Sequence, residues 1–426
     1  MSRRSGHRDM PHLEPVEKIE LSDKHVGWRL GFFILFVIIA ASAFAYGVNL
    51  LFSTEPGWQE VEVDSSAEAN CGDEFVFMYY LGGKDTDATV EHKALKLIYT
   101  DACEMAHKLF HNKEAFDGVN NVYYINQHPN EVIEVEPALY EAFSVLSNYG
   151  NRSVYLSPVY NQYDEIFYCE DDAQIIEFDP ILNDEVATDY AEIAVFANNP
   201  EMIDVKLLGE NKIQLYVSEE YLAYAKENYI TDFIDFFWMK NAFVTDYLAN
   251  ELRSRGYTSG AVSSYDGFSR SLDEAEYSYS FNIYDRQELT LHQAAVMQYN
   301  GAQSMVYLRD YMMSELDMAH YYVLSDGEVR TSYLDIADAI PKAATDNLYA
   351  YSDTLGCAEV LMQVIPIYVS DEFSEAKVSD LENNGVHVIY CVNDVIKYTE
   401  ESLVLTDLLD TENMKYQTEW MQEVSW

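Results

Sequence analysis

Between Arg29 and Glu55 the chain carries no charged side chain, and the 23 residues Leu30–Phe52 read LGFFILFVIIAASAFAYGVNLLF. As a helix this run rises about 34 Å, close to the hydrocarbon thickness of a bilayer. Arg3, Arg4, Arg8, Lys18, Lys24 and Arg29 precede it, and no Lys or Arg follows until Lys84. Glu55, Glu60, Glu62, Asp64 and Glu68 crowd the exit instead. The positive-inside rule therefore predicts a cytoplasmic tail over 1–29, one transmembrane helix over 30–52 and an extracellular remainder, a single-pass protein of the cell membrane. The competing reading is a cleaved signal peptide, because Ala41-Ser42-Ala43 is a small-x-small site. The 29-residue leader and the apolar run continuing past that site favour an uncleaved anchor.

Of 426 residues, 49% are hydrophobic and 14% aromatic, enough for a packed core. The chain has 26 basic and 73 acidic side chains; six and five of these precede the apolar run, leaving 20 and 68 beyond it. A field of that sign repels phosphate backbones, and no basic patch offsets it, which argues against nucleic-acid binding. All five cysteines (Cys71, Cys103, Cys169, Cys357, Cys391) lie after the apolar run, without a CxxC. Five is odd, so at least one is free or bonds another chain; the choice between buried thiols and one or two bridges stays open.

Residues 53–70 read as an acidic stalk and 71–426 as the extracellular domain. Apolar residues at spacings of three and four predict a helix over His92–Phe110. Pro137 and Gly150 bracket a second, Ser218 starts a third, and a fourth runs to Leu252 with Gly256 as its stop. Alternating strands are predicted at Tyr277–Tyr284, Met305–Tyr311, Tyr321–Leu324 and Val329–Leu334, the last two joined by Ser325-Asp326-Gly327. A helix near Thr354–Val364 and strands at Val386–Val392 and Ile396–Tyr398 complete the pattern. Helices and strands mix without strict βαβ alternation, which predicts the α+β class.

Cys103, His107 and His111 fall at i, i+4 and i+8 of one helix, a spacing that suits zinc, but His107–His111 lacks the Glu of HExxH. Solvated or half-packed side chains account for these three more simply. Glu170, Asp171 and Asp172 read as an acidic surface turn. No GxSxG, helical SxxK or EF-hand loop is present. Asp335 in SYLDIADAIP and Glu359 in GCAEVLMQV supply hard oxygen ligands of the kind Mg²⁺ on a diphosphate requires.

The order of these blocks resembles the ApbE family of flavin transferases, which attach FMN from FAD to a Thr or Ser of a target protein outside the membrane. NNVYYIN (Asn120 to Asn126), followed by Val135 to Tyr140, is similar to the family's first block. IDFFWMKNAFVTDYLANELRSRGYTSGAVSSYDGF is similar to its central DxGGxAKGxxxD helix and GG turn, with Asp235 and Asp246 eleven apart. TSYLDIADAIP lines up with HHIxDPxTGxP, and CAEVLMQV with ADAxxT. The resemblance covers roughly residues 90–400. It implies a mixed α/β ApbE-like fold and Mg²⁺ held by Asp335, Glu359 and Gln363. It implies Asp335 and Lys240 as catalytic groups, the latter meeting phosphate. Ser263, Ser264, Tyr265, Asp266, Gly267, Thr331 and Ser332 would then face the flavin or diphosphate of FAD.

The chain departs from the pattern at its chemistry. Thr331-Ser332 stand for the paired His, Glu359 for Asp, Gln363 for Thr, Asp266-Gly267 for the GG turn, and Lys240-Asn241 only approximate the Lys-Gly. Since Mg²⁺ demands near-ideal ligand geometry, the reading is an anchored ApbE-like protein that binds flavin with weak or absent transfer. Its alternatives are an active divergent FAD:protein FMN transferase, recognising a flavinylation target, and a non-catalytic surface scaffold with an extracellular protein partner.

Overall fold

Two strands are buried on both faces at every position, Ser304–Arg309 (SMVYLR) and Asn347–Ser352 (NLYAYS). They pair antiparallel, Met305 opposite Tyr351 and Leu308 opposite Leu348. Successive side chains in a strand point to opposite faces, so each strand feeds two cores. Val306, Leu308, Leu348 and Ala350 join a large cluster with the helices. Met305, Tyr307, Tyr349 and Tyr351 join a second one on the other face with Ile283, Met297 and Ile389. There the Tyr307 and Tyr349 rings stack at 4.1 Å.

The computed structural model describes residues 54–421 except 68, 84, 85, 274–276 and 289. Its main sheet has nine strands, which we label β1 (Gly57–Glu60), β2 (Phe75–Leu81), β3 (Gly260–Ser264), β4 (Phe268–Ser271), β5 (Ser304–Arg309), β6 (Asn347–Ser352), β7 (His387–Val392), β8 (Val395–Tyr398) and β9 (Gln417–Trp420). They lie side by side in chain order, antiparallel except for the parallel β8–β9 pair. A three-stranded sheet built on Ser278–Gln287 and Thr290–Asn300 covers one face. A second three-stranded sheet, Val132–Glu134 with Ile203–Gly209 and Lys212–Val217, and the Tyr321–Val323/Val329–Thr331 hairpin stand apart from the main sheet.

Four helices matter for the site: α1 (Ala88–Phe110), α2 (Pro137–Tyr149), α3 (Lys240–Ser254) and α4 (Cys357–Tyr368). Helix α3 packs on β3, β4, α1 and α4, and α4 packs on β5 and β6. The expected stops are present: Gly150 and Gly256 hold left-handed φ of 63° and 85°, and Tyr257 N–H reaches back 3.1 Å to the Leu252 carbonyl.

The fold is mixed α/β with an antiparallel core, in keeping with the helix and strand pattern of the sequence. The stalk expectation needs correction, because Gly57–Glu60 form the sheet's edge strand and Val61 is 1% exposed. The tail, the expected span at 30–52 and residue 53 lie outside the described residues. Among the described residues no helix is long and apolar enough to cross a membrane.

Candidate functional site

The start of α3 opens onto a cavity of about 480 Å³. Its wall combines Glu74 from the turn before β2, His107 and His111 from the end of α1, Lys240 and Asn241 from α3, Asp266 from the β3–β4 turn and His320. Lys240 Nζ lies 2.8 Å from Glu74 Oε2. Asn241 Nδ2 donates to Asp266 Oδ2 at 3.0 Å, and His320 Nε2 stands 4.0 Å from the same oxygen. The distal atoms of this chain are open: Asn241 Oδ1, Asp266 Oδ1 and His320 Nδ1 are buried without a hydrogen-bond partner. Buried polar atoms cost free energy when unpaired, so three together mark a place that a polar ligand would complete.

Burial dominates the electrostatics of this wall. It pushes Asp235 up to about 6, against the Phe237 N–H and the charges of Lys113 and Lys240 that pull it down. It raises Asp266, with His320 opposing, and lowers His320, with Asp266 opposing. It also lowers His107 and His111, keeping both imidazoles neutral over a wider range. For Glu74 burial works upward, but the adjacent Lys240 ammonium outweighs it and holds the carboxyl below its usual range. The cavity thus sets carboxylates beside the Lys240 ammonium and imidazoles that burial keeps neutral.

One wall residue sits in a conformation that its side chain resists. Phe237 has φ of 41° and stacks on Tyr160 at 4.7 Å. Counting from Asp235, it occupies the first glycine of DxGGxAKGxxxD, so a ring lines the cavity where that pattern has none.

The sequence-predicted residues divide into two groups. Lys240, Tyr265 and Asp266 line the cavity. Gly267 makes the turn behind them: at φ of 114°, a Cβ there would fall 2.3 Å from the Tyr307 carbonyl oxygen. Ser263 Oγ pairs with Ser269 Oγ at 2.7 Å, and Ser264 Oγ accepts Phe268 N–H at 3.0 Å, so both serve the hairpin. Thr331 and Ser332 are buried; the Thr331 carbonyl accepts the Tyr163 hydroxyl at 2.9 Å, and the Ser332 N–H donates to the His320 carbonyl at 3.2 Å.

The expected Mg²⁺ ligands do not converge. Glu359 Oε2 accepts the Gly356 N–H at 3.0 Å at the start of α4, and Gln363 lies one turn on, near Tyr149. Asp335 sits at the other end of that helix, bound to Lys342 at 2.8 Å, which also holds Asp371 just past Tyr368 at 3.0 Å. Glu359 and Tyr368 are about 14 Å apart along the axis, far beyond a Mg²⁺ coordination sphere of about 2.1 Å radius.

The carboxylate nearest the α4 N-terminus is also committed. Asp246 accepts the Cys357 and Ala358 N–H groups at 2.9 Å each and pairs with Arg270 at 2.7 Å. Arg270 is half-buried in this pair. The residues present therefore do not fit Mg²⁺ at these positions, and among the described residues no group of three His, Cys, Asp or Glu could hold a metal. The Cys103/His107/His111 series splits as well, since Cys103 is in the core while both imidazoles face the cavity.

Glu74 and His320 were missed, each being far in sequence from the residue it serves. His107 and His111 read in the sequence as solvated or half-packed side chains rather than as cavity wall.

No family model matches this chain, and no curated protein does. Solved structures do. The flavin transferase ApbE from Vibrio cholerae superposes with a TM-score of 0.54 at 12% identity, over 83% of this chain and 98% of that one. The ApbE protein from Thermotoga maritima gives 0.52 at 12%, over 82% and 97%. The fold is ApbE-like. At this identity the likeness concerns the backbone alone, and the chemistry must be read from the cavity.

Proposed function

We propose that this chain is a membrane-anchored, extracytoplasmic flavin-nucleotide-binding protein that does not carry out Mg²⁺-dependent FMN transfer. The observation that carries the reading is the row of unpartnered atoms on Asn241, Asp266 and His320 beside Lys240. A flavin nucleotide brings donors and acceptors on its ring, hydroxyls on its ribityl chain and an anionic phosphate. The ring and hydroxyls suit Asn241 and Asp266; the phosphate suits Lys240 and Lys113. The ApbE-like backbone supports the choice of flavin among anionic aromatic ligands, as does the flavin transferase named for the Vibrio cholerae structure. The engagement of Asp246 and Glu359 by backbone N–H groups supports the loss of transfer.

The test is incubation of the full chain with FAD, Mg²⁺ and a Thr-bearing acceptor protein. Flavin is expected to remain non-covalent and to leave on denaturation, with no AMP released. Covalent FMN on the acceptor with stoichiometric AMP would restore the transferase reading.

A further inference from the structure

Two thiols meet at the edge of the cavity. Cys71 leads into the Gly72–Glu74 turn and lines the cavity, while Cys103 lies inside α1, 32 residues along the chain. The Cys71 N–H and Sγ each approach the Cys103 carbonyl oxygen at 3.4 Å. With standard bond lengths, that backbone contact keeps the two Cα atoms within about 7 Å. A separation in this range is one that disulfides span. Both side chains are buried, at 3% and 0% exposure. Zinc is not the reason for their pairing, since no further His, Cys, Asp or Glu completes a metal site among the described residues.

We propose that Cys71 and Cys103 are a dithiol–disulfide pair, oxidised by a small disulfide entering through the cavity, whose bond pins the Glu74 turn to α1. The Cys71 thiolate attacks one sulfur of the incoming disulfide, forming a mixed disulfide and expelling one thiolate. The Cys103 thiolate then attacks the Cys71 sulfur and expels the second. The two protein protons pass to the two leaving thiolates, so two protein thiols become one disulfide as one small disulfide becomes two thiols. Cys71 is the entry point because it faces the cavity; Cys103 is packed against Tyr99 in the core and meets no oxidant directly. The bond fixes the backbone that holds Glu74 against Lys240. The pairing rests on this contact and stands whatever the cavity binds.

The full chain, purified under reductant, is exposed to glutathione disulfide without denaturant, alkylated, digested and analysed by mass spectrometry. A peptide linking Cys71 to Cys103, two hydrogens lighter than its reduced parts and cleaved by reductant, is expected. The oxidised form should melt about 3–5 °C above the reduced one. Cys103→Ser should trap glutathione on Cys71, whereas Cys71→Ser should leave Cys103 unmodified until the chain unfolds. Both thiols alkylated after native oxidation, glutathione on wild-type Cys71 without the linkage, or linkage only after unfolding would each overturn the proposal.

Discussion

The N-termini of α3 and α4 are both polar and both packed against β4, yet they are finished differently. At α4 every charge has its complement: Asp246 takes two N–H groups and Arg270, and Glu359 closes on Gly356. Gly356 has no room for a side chain, because a Cβ would fall 2.5 Å from Asp246 Oδ2. At α3 the same kinds of residue end in unpartnered atoms around a cavity. A closed network rigidifies a fold, whereas an open one carries a standing desolvation cost that a ligand can relieve. Of the residues offered as metal ligands, Glu359 falls on the closed end and Asp335 at the far end of α4, while the unpartnered polar atoms fall on the open one.

The largest effect should come from breaking the closed end. Asp246→Ala leaves Arg270 uncompensated and strips the α4 N-terminus of its acceptor, which should cost about 3–5 kcal/mol of unfolding free energy in denaturant titrations. Gly267→Ala acts on the turn behind the open end. It forces a side chain onto the Tyr307 carbonyl at a positive φ and should cost at least about 2 kcal/mol.

At the open end binding, not stability, should respond. Lys240→Met removes one charge-assisted contact to phosphate, about 1.5–3 kcal/mol, and should weaken FAD binding about 10- to 100-fold. Glu74 is half-exposed, so its loss of a partner should leave Tm nearly unchanged.

Acidification should sharpen the contrast more gently. Asp235, pushed up to about 6 by burial, is a repelling anion at pH 8 and largely neutral at pH 5.5. His107 and His111, lowered by burial, are neutral at pH 8 and gain positive charge only toward the acid end. Both changes favour an anionic ligand, so FAD affinity should rise several-fold from pH 8 to 5.5 in fluorescence titrations. A fall over that interval would place the phosphates elsewhere.

The local elements were legible because their signals are local. Pro137 and Gly150 bound α2 as the sequence implies, and Ser218 caps the helix Glu219–Glu227 through the Tyr221 N–H at 3.1 Å. Strand β1 was hidden inside an acidic segment whose composition reads as solvated; only pairing with β2 reveals it. The block order led to an ApbE-like backbone, and Lys240 and Asp266 line one cavity. The metal set misled, because residues in adjacent blocks can stand at opposite ends of one helix, as Asp335 and Glu359 do. Nothing local marks Glu74 as the partner of Lys240, 166 residues away.

The most direct test of the central claim is an FAD titration of the full chain, followed by flavin fluorescence, in EDTA and again in millimolar Mg²⁺. The account predicts saturable binding with the same Kd in both, weakened by Lys240→Met in both. Absence of binding, or binding that appears only with Mg²⁺, would contradict it.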